Sequence, residues 1–409
     1  MVTASDAAGR GLLLHLIRTG QARTRAEASR IGNLGPAVVS RCVGQLIDLG
    51  LIYNGEPISS TGGRPAGQLC FNAAAGMLLV AEFGATAVTV GLTDLAGKML
   101  ATAGGPWRIE DGPDASIDHV VALMRTLKPD VSGRDVWGVG VGLPGPVEFA
   151  TGRPTSPPIM PGWDGYDVRA RLRGSLGAPV WVDNDVNVMA LGELRAGAAI
   201  GERDVVVIKI GTGIGAGLIS EGRIHRGAQG SAGDVGHVPV LDTRLDAICR
   251  CGKRGCLEAV AGGAAIVRDG HAAAVQGRSQ FLANVLSSGR AIGVFDVIDA
   301  AAHGDSACVD LLTTAAHCIG DLLVIIVNIY NPSLIVLGGS LTRAGDGFLA
   351  AIRQQVFLRS SPLATRNLRI VRSTLGQLGA ATGTAHMVLD ELFNPDDLAK
   401  RAHLRDLPA

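Results

Sequence analysis

The chain has 409 residues, of which 47% are hydrophobic, 18% are charged and 57 are glycine. This exceeds one small domain and suffices to bury a large core, and abundant glycine with few aromatic residues is typical of α/β proteins. The net charge of zero excludes a strongly basic or acidic chain, although residues 1–70 hold seven arginines against four acidic residues, or +3. A mildly basic N-terminal part is compatible with DNA binding.

Four of the seven cysteines lie in apolar surroundings, which predicts reduced side chains buried in the core: Cys42, Cys70, Cys308 and Cys318. The sequence shows no signal peptide, and its apolar run at 322–329 is too short to span a membrane. We therefore expect a cytoplasmic protein with no membrane partner.

The first 50 residues predict three helices. Apolar residues at 12–17 form one face of a first helix, and Thr24 with Glu27 forms a capping box that begins a second. Pro36 follows a glycine turn at the first position of a third helix, where its missing N–H costs nothing.

The third helix has one buried face and one face suited to DNA. Its apolar stripe is Val39, Cys42, Val43 and Leu46. Small and polar residues then face outward and allow close approach to base edges in a major groove: Ala37, Ser40, Arg41, Gly44 and Gln45.

Residues 51–71 predict a β-hairpin wing with the loop STGGRPAG, which places Arg64 among glycines at its tip. That position suits a phosphate contact or insertion into a minor groove. A three-helix module with a hairpin can also bind protein, but the order of elements and the charge favour DNA. We predict a DNA-binding domain at residues 1–72.

From residue 77 the sequence alternates strands with glycine turns. MLLVAEF-GAT-AVTVGLT is followed 127 residues later by the similar VVVIKI-GTG-IGAGLIS. The repetition predicts two related lobes that face one cleft, within a domain at residues 73–409. Glycine runs such as GTGIGAG can bind phosphate through backbone N–H groups, but they can equally be tight hairpin turns.

Polar residues follow a predicted strand at residues 180–182. Asp183, Asn184 and Asp185 lie at that strand's end, before a predicted helix. They could hold sugar hydroxyls or only cap the helix, and local sequence does not separate these interpretations.

The segment 232–258 predicts a metal site. Three cysteines and one histidine, with glycines between the last two cysteines, are the ligand set of a closed tetrahedral zinc site: His237, Cys249, Cys251 and Cys256. The loop would also bring Asp234 near Glu258. A closed metal site predicts zinc that supports the structure of a neighbouring binding site.

AGDVGH followed by CRCGKRGCLE resembles the signature of the ROK family of sugar kinases and sugar-responsive repressors, and GLPGPV and VDNDVN are similar to two further family motifs. The resemblance implies an α/β fold, with an N-terminal winged helix-turn-helix followed by a two-lobed, actin-like sugar-kinase fold. It implies a sugar site at Asn184, Asp185, Asp234, His237 and Glu258. In a kinase Asp185 would be the general base, and ATP with Mg²⁺ would bind at Glu82, Gly84, Thr86, Gly211, Thr212, Gly213, Gly338 and Gly339.

The sequence departs from the kinase pattern at three positions. Glu82 replaces the aspartate of the first phosphate motif D-x-G-x-T, Ala85 replaces a glycine, and Asp234 replaces the glutamate of AGEIGH. A motif that positions magnesium and phosphate tolerates such shifts poorly. Phosphoryl transfer is therefore disfavoured, while sugar binding is retained.

We therefore expect a transcriptional regulator of sugar metabolism, in the first place a repressor, whose affinity for operator DNA depends on a bound sugar or sugar phosphate. A homodimer or homotetramer would present paired winged modules to a two-fold operator. Two alternatives are an ATP-dependent hexose kinase with an added DNA module and a zinc-responsive repressor. Sensor sites tend to be open and exchangeable, which disfavours the latter.

Overall fold

The computed structural model describes residues 4–58, 66–127, 136–242 and 246–394. The N-terminal part consists of three helices and an antiparallel hairpin: α1 Ala4–Arg18, α2 Arg25–Gly32, α3 Pro36–Asp48, β1 Ile52–Ile58 and β2 Ala66–Phe71. This is the arrangement of a winged helix-turn-helix.

Local sequence explains these helices. The Thr24 side chain accepts a hydrogen bond from Glu27 N, and the Glu27 carboxylate accepts one from Thr24 N, which completes the predicted capping box. Pro36 occupies the first turn of α3. The predicted stripe of α3 is buried: Val39, Cys42, Val43 and Leu46.

The rest of the described chain contains two five-stranded sheets. The first has the order β5-β4-β3-β6-β9. Its strands are β3 Met77–Phe83, β4 Ala87–Asp94, β5 Met99–Pro106, β6 Val136–Leu143 and β9 Val180–Asn184. The second has the order β12-β11-β10-β13-β14. Its strands are β10 Val205–Ile210, β11 Ile214–Ser220, β12 Arg223–Ile224, β13 Leu334–Gly338 and β14 Arg369–Arg372.

The two sheets share one topology. In each, the first strand pairs antiparallel with the second and parallel with the fourth, which pairs parallel with the fifth. The same arrangement repeated in one chain gives the two related lobes that the glycine hairpins predicted, and it agrees with the two-lobed, actin-like fold that the ROK resemblance implied.

Helices cover the sheets, and the first lobe also contains a short two-stranded hairpin. The helices are α4 Pro113–Leu127, α5 Val168–Leu176, α6 Asp185–Ala196, α7 Leu257–Ala261, α8 Gly263–Val275, α9 Gln280–Ser287, α10 Val294–Ala302, α11 Ser306–Tyr330, α12 Asp346–Arg359, α13 Pro362–Thr365 and α14 Gly379–Leu392. The short hairpin consists of β7 Val147–Glu148 and β8 Arg153–Pro154. Helix α14 is the last described element, and residues 395–409 lie outside the described ranges.

Helices α6 and α14 touch along their backbones. A Cβ atom at Gly192 of α6 would overlap the carbonyl of Gly379, and one at Gly383 of α14 would overlap the carbonyl of Val188. Glycine therefore lets two helices from distant parts of the sequence approach more closely than side chains permit.

The apolar run at 322–329 belongs to a longer element than expected. It lies in α11, which has 25 residues and is the one helix of the described chain long and apolar enough to cross a membrane by length and composition. This helix packs against α7, α8, α10 and α12, and its buried residues belong to the core of the second lobe.

Candidate functional site

A cleft of about 480 Å³ lies where the two sheets face each other. Both glycine turns line it: Gly84, Ala85 and Thr86 from the first sheet, and Gly211, Thr212 and Gly213 from the second. The turn at Pro144, Gly145 and Pro146 and the segment 230–234 also line it. The fold therefore brings together motifs that lie more than 100 residues apart in sequence.

All five predicted sugar-site residues line this cleft: Asn184, Asp185, Asp234, His237 and Glu258. Asn184 also caps α6, because its Oδ1 accepts hydrogen bonds from Val186 N and Asn187 N while its Nδ2 donates to Gly145 O. The interpretation of this motif as a helix cap is therefore correct for Asn184, and the same residue lies in the cleft.

Lys209 is a residue that the sequence analysis missed. Its Nζ lies 2.8 Å from Asp185 Oδ2 and 3.2 Å from Glu82 Oε1, so it joins strand β10 of one sheet to strand β3 of the other. Burial lowers the pKa of Lys209, but the two carboxylates outweigh burial and raise it above its ordinary value. Burial raises the pKa of Glu82, although Lys209 opposes this rise.

Glu258 occupies part of the second glycine turn. Its Oε2 accepts a hydrogen bond of 3.1 Å from Ile214 N, and a Cβ atom at Gly213 would overlap its carboxylate. The Gly211 N–H donates to Gly213 O within the turn. A protein carboxylate thus binds one backbone N–H of the turn that was predicted to bind phosphate.

Asn187 is a second missed residue. It is 2% exposed and lines the cleft. Its Nδ2 donates to Asp183 Oδ1, whereas its Oδ1 is buried and has no hydrogen-bond partner among the described residues. A buried acceptor without a partner is costly, and a hydroxyl group of a ligand would satisfy it.

The predicted nucleotide residues are placed unequally. Gly84, Thr86, Gly211, Thr212, Gly213 and Gly339 line the cleft, whereas Glu82 and Gly338 do not. Glu82 contacts Lys209 instead. Gly338 is buried at the end of β13, where a Cβ atom would overlap Met189. Its glycine identity is therefore explained by contact with α6.

The four predicted metal ligands form a compact cluster. The ligand atoms of His237, Cys249, Cys251 and Cys256 all lie within 4.8 Å of one another. Cys249 Sγ is 3.6 Å from His237 Nδ1, and Cys251 Sγ is 3.7 Å from Cys256 Sγ. Burial and the neighbouring thiols raise the pKa of Cys256 to about 12. This cluster could hold a metal ion.

The metal-ligand loop and the cleft share His237. Its Nδ1 faces the cysteine cluster, while its Nε2 lies 3.9 Å from Asp234 Oδ1 in the cleft. Gly252 and Gly255 adopt left-handed conformations (φ 85° and 68°) between the last two cysteines, so the tight loop requires glycine there.

The predicted DNA-contacting residues of α3 differ in their exposure to solvent. Ala37, Ser40 and Arg41 are exposed, but Gln45 is half-buried and its Oε1 is buried without a hydrogen-bond partner among the described residues. Arg64 lies outside the described residues, so its contact remains a prediction.

The N-terminal module contacts the first lobe through α1 and α14. The Asp390 carboxylate of α14 forms ion pairs with Arg18, at 3.7 Å, and with Arg195 of α6, at 2.8 Å. Phe393 meets Phe71 of the wing edge-on at 5.7 Å, and the Arg18 guanidinium lies 5.3 Å from its ring centre. Helix α6 begins at Asp185, and both Asp185 and its N-cap Asn184 line the cleft.

Comparison with known proteins identifies the family. The sequence profile of the ROK family matches residues 79–391. The chain belongs to the ROK family. A xylose repressor of Caldicellulosiruptor bescii is 27% identical over 392 residues, which cover 94% of this chain and 96% of the relative.

Two solved structures of ROK proteins differ in how much of this chain they cover. A ROK transcriptional regulator, a homolog of the Escherichia coli MLC protein, covers 98% of this chain and 100% of its own, with a TM-score of 0.82 and 25% identity. A ROK glucokinase from Streptomyces griseus, solved with glucose and AMPPNP, covers 76% of this chain and 99% of its own, with a TM-score of 0.66 and 27% identity. Both kinds of relative match, but the regulator also covers the N-terminal module.

Proposed function

We propose that this protein is a transcriptional regulator, in the first place a repressor of sugar-metabolism genes, whose affinity for operator DNA depends on a sugar or sugar phosphate bound in the cleft. The observation that carries this proposal is the contact of the winged module with α14, which packs on the helix that begins in the cleft. The similarity to a xylose repressor over nearly the whole chain supports it.

In this proposal the bound sugar changes the orientation of the DNA-binding module through helix α6. Asn184 and Asp185 at its N-terminus would bind the sugar together with Asp234, His237 and Glu258, and closure of the two lobes would shift α6 against α14. Because α14 also contacts α1 through Asp390 and Arg18, that shift would reorient the DNA-binding module. A coupling of about 1–3 kcal/mol, or 5–150-fold in affinity, suffices for regulation.

The α3 surface of Ala37, Ser40, Arg41 and Gln45 would enter the major groove, and Arg64 of the wing would contact the DNA backbone or a minor groove. A homodimer would read half-sites separated by about one or more helical turns of 10–10.5 base pairs.

We further propose zinc for the Cys/His cluster. Three thiolates and one imidazole are the donors of structural zinc sites, and metal–ligand bonds of about 2.0–2.3 Å in a tetrahedron place the donors roughly 3.3–3.8 Å apart. The two measured pairs, 3.6 and 3.7 Å, agree with that spacing. When bound, the ion would fix the loop and the orientation of His237 towards the sugar.

Replacement of Cys251 by serine tests the metal's role. We expect Cys251→Ser to lose bound zinc and the sugar response together, because the loop would no longer hold His237 in the cleft. Metal analysis and operator titrations measure both properties, with Cys318→Ser, a half-buried cysteine outside the cluster, as the matched control. A zinc-free variant that still responds to sugar would contradict the structural role.

The direct test of the function uses operator fragments selected from random DNA by the full-length protein. Fluorescence anisotropy with and without pentoses, hexoses and N-acetylhexosamines should show a severalfold or larger change in operator affinity with at least one sugar. An unchanged affinity at saturating concentrations of every sugar that binds would contradict the proposal.

A sugar kinase is the second candidate, supported by the presence of Asp185 and the GTG turn in one cleft. Against it, Lys209 contacts Asp185 and Glu82, the residues that would act as base and phosphate-motif carboxylate. Incubation with ATP, Mg²⁺ and the same sugars separates the candidates. Steady turnover that is abolished by Asp185→Asn would favour the kinase.

A further inference from the structure

We infer that the cleft binds an unphosphorylated sugar and discriminates against the phosphate ester of the same sugar. The inference rests on the proposed function and narrows its ligand. A sugar offers hydroxyl hydrogens to acceptors, whereas a phosphate dianion carries two negative charges and offers only acceptor oxygens. The described residues of the cleft supply acceptors and negative charge.

The charged side chains that line the cleft are mostly acidic. Among the described lining residues, three are carboxylates and one is an amine: Asp185, Asp234, Glu258 and Lys209. No arginine is found in that set. Recognition of phosphate in proteins commonly uses arginine or an unneutralised lysine, and neither is available here.

The single lysine is already neutralised. Lys209 contacts Asp185 at 2.8 Å and Glu82 at 3.2 Å, so the formal charges of these three groups sum to −1. Any phosphate near Asp185 would meet this negative group in a partly buried environment, where screening by water is weak. The nearby Arg226 is likewise occupied, since its Nη2 lies 2.8 Å from Asp183, which is 1% exposed.

The second glycine turn is a less favourable binding site for phosphate than its sequence suggests. Glu258 accepts the N–H of Ile214 and thereby places a carboxylate at the position where an anion would approach the turn. A phosphate would have to displace this carboxylate or lie beside it. Both alternatives cost free energy, because like charges repel.

Hydroxyl groups, by contrast, match the cleft. The buried Oδ1 of Asn187 has no partner within the described chain, and the carboxylates of Asp234 and Glu258 line the same space. Each of these groups accepts hydrogen bonds from O–H donors. A zinc ion in the cysteine cluster would not reverse the field, since one divalent cation with three thiolates carries −1.

Calorimetric titration of the full-length protein tests the inference. The ligands are the panel sugars and the terminal phosphate ester of each. For any sugar that binds, we expect its ester to bind about tenfold or more weakly. Added KCl should narrow this gap, because salt screens repulsion between ligand and cleft. An ester that binds more tightly than its parent sugar, or a gap that widens with salt, would overturn the inference.

The variant Glu82→Gln removes one negative charge behind Lys209 and keeps the shape of the side chain. The ratio of ester affinity to sugar affinity should rise severalfold in this variant. It should stay unchanged in Asp269→Asn, an equivalent change on α8 where Asp269 pairs with Arg268. Equal ratios of ester affinity to sugar affinity in the unaltered protein and in both variants would show that charge repulsion does not cause the discrimination.

Operator titrations with the same ligands separate this inference from the proposed function. An ester that alone releases DNA would refute the inference and leave the regulator intact. A sugar that binds with the expected preference but leaves DNA affinity unchanged would support the inference and refute the regulator. Absence of binding by all sugars and all esters would contradict both.

Discussion

At the scale of single residues, Lys209 determines the chemistry available in the cleft. A lysine between two carboxylates forms an ion pair with each of them and fixes their positions. Asp185 is therefore engaged by a cation before any substrate arrives, which is unfavourable for a general base that must take a proton from a hydroxyl group. The same contact links the two sheets, since Glu82 and Lys209 belong to different lobes.

Replacement of Lys209 should destabilise the protein. Lys209→Met leaves Asp185 and Glu82 as neighbouring, largely buried carboxylates without a cation, and loss of one partner of a buried ion pair costs about 3 kcal/mol or more. The midpoint of urea unfolding measures the loss. Lys98→Met, the same change at an exposed position on the β4–β5 turn, is the control. Equal midpoints for the two variants would show that the contact is not stabilising.

At the scale of elements, α3 is the expected DNA-recognition helix, and α14 is the expected connection between the N-terminal module and the first lobe. The apolar stripe of α3 is buried and its opposite face is exposed around Ser40 and Arg41, as DNA contact requires. Gln45, near the C-terminal end of α3, is less accessible than its helical position suggested.

We expect Arg41→Ala to weaken operator binding by about 1–3 kcal/mol and to relax the base preference at one position if Arg41 contacts guanine. Binding selection with the variant and with Arg290→Ala, an equal loss of charge in the second lobe, measures both effects. An unchanged footprint and affinity would remove Arg41 from the interface. Arg64→Ala should instead reduce the salt dependence of binding if its contact is with phosphate.

His386 on α14 should make the folded protein less stable in acid. Burial lowers the pKa of His386 to about 4 from its ordinary 6.5. Between these values the unfolded chain binds a proton that the folded chain does not, so the free energy of unfolding falls as pH falls through this window, by at most about 3 kcal/mol.

His386→Gln should remove this contribution. Comparison of urea midpoints at about pH 7.5 and about pH 5 should show a smaller acid loss in His386→Gln than in the unaltered protein or in His271→Gln, a change at an exposed histidine. An identical acid loss in all three would indicate that His386 does not titrate differently on folding.

At the scale of the whole molecule, one helix pair connects the cleft with the DNA-binding module. Helix α6 begins in the cleft, glycines let it lie against the backbone of α14, and Asp390 of α14 binds Arg18 of α1. In the proposed mechanism, a small displacement at the N-terminus of α6 would shift its contact with α14 and so reach the N-terminal module.

Asp390→Asn should weaken the coupling between the cleft and the N-terminal module. It removes the charge that Arg18 and Arg195 share, and partly exposed pairs of this kind are worth about 0.2–1 kcal/mol each. We therefore expect sugar binding to persist while the sugar-induced change in operator affinity shrinks about fivefold. Asp118→Asn, which removes an exposed partner of Arg171, should respond normally. A full response in Asp390→Asn would exclude this route.

Local sequence by itself determined much of the fold. The capping box at Thr24, the stripe of α3, the turns at both glycine hairpins and the cysteine cluster depend on residues within about 25 positions of one another, so their spacing specifies them. The repeat of strand, glycine turn and strand even predicted two lobes around a cleft. The ROK resemblance supplied the sugar residues, which local sequence could not separate from a helix cap.

Only the tertiary structure decided how these parts combine. Lys209 reads in sequence as one polar residue in an apolar strand, and its partners lie 24 and 127 positions away. Three further features also depend on the tertiary structure. Glu258 occupies the second glycine turn, Asp390 contacts Arg18, and the buried Oδ1 of Asn187 has no hydrogen-bond partner among the described residues. Spacing along a chain fixes hydrogen bonds within helices and turns, but which distant side chains meet is fixed by the closure of two sheets and by the approach of α6 to α14.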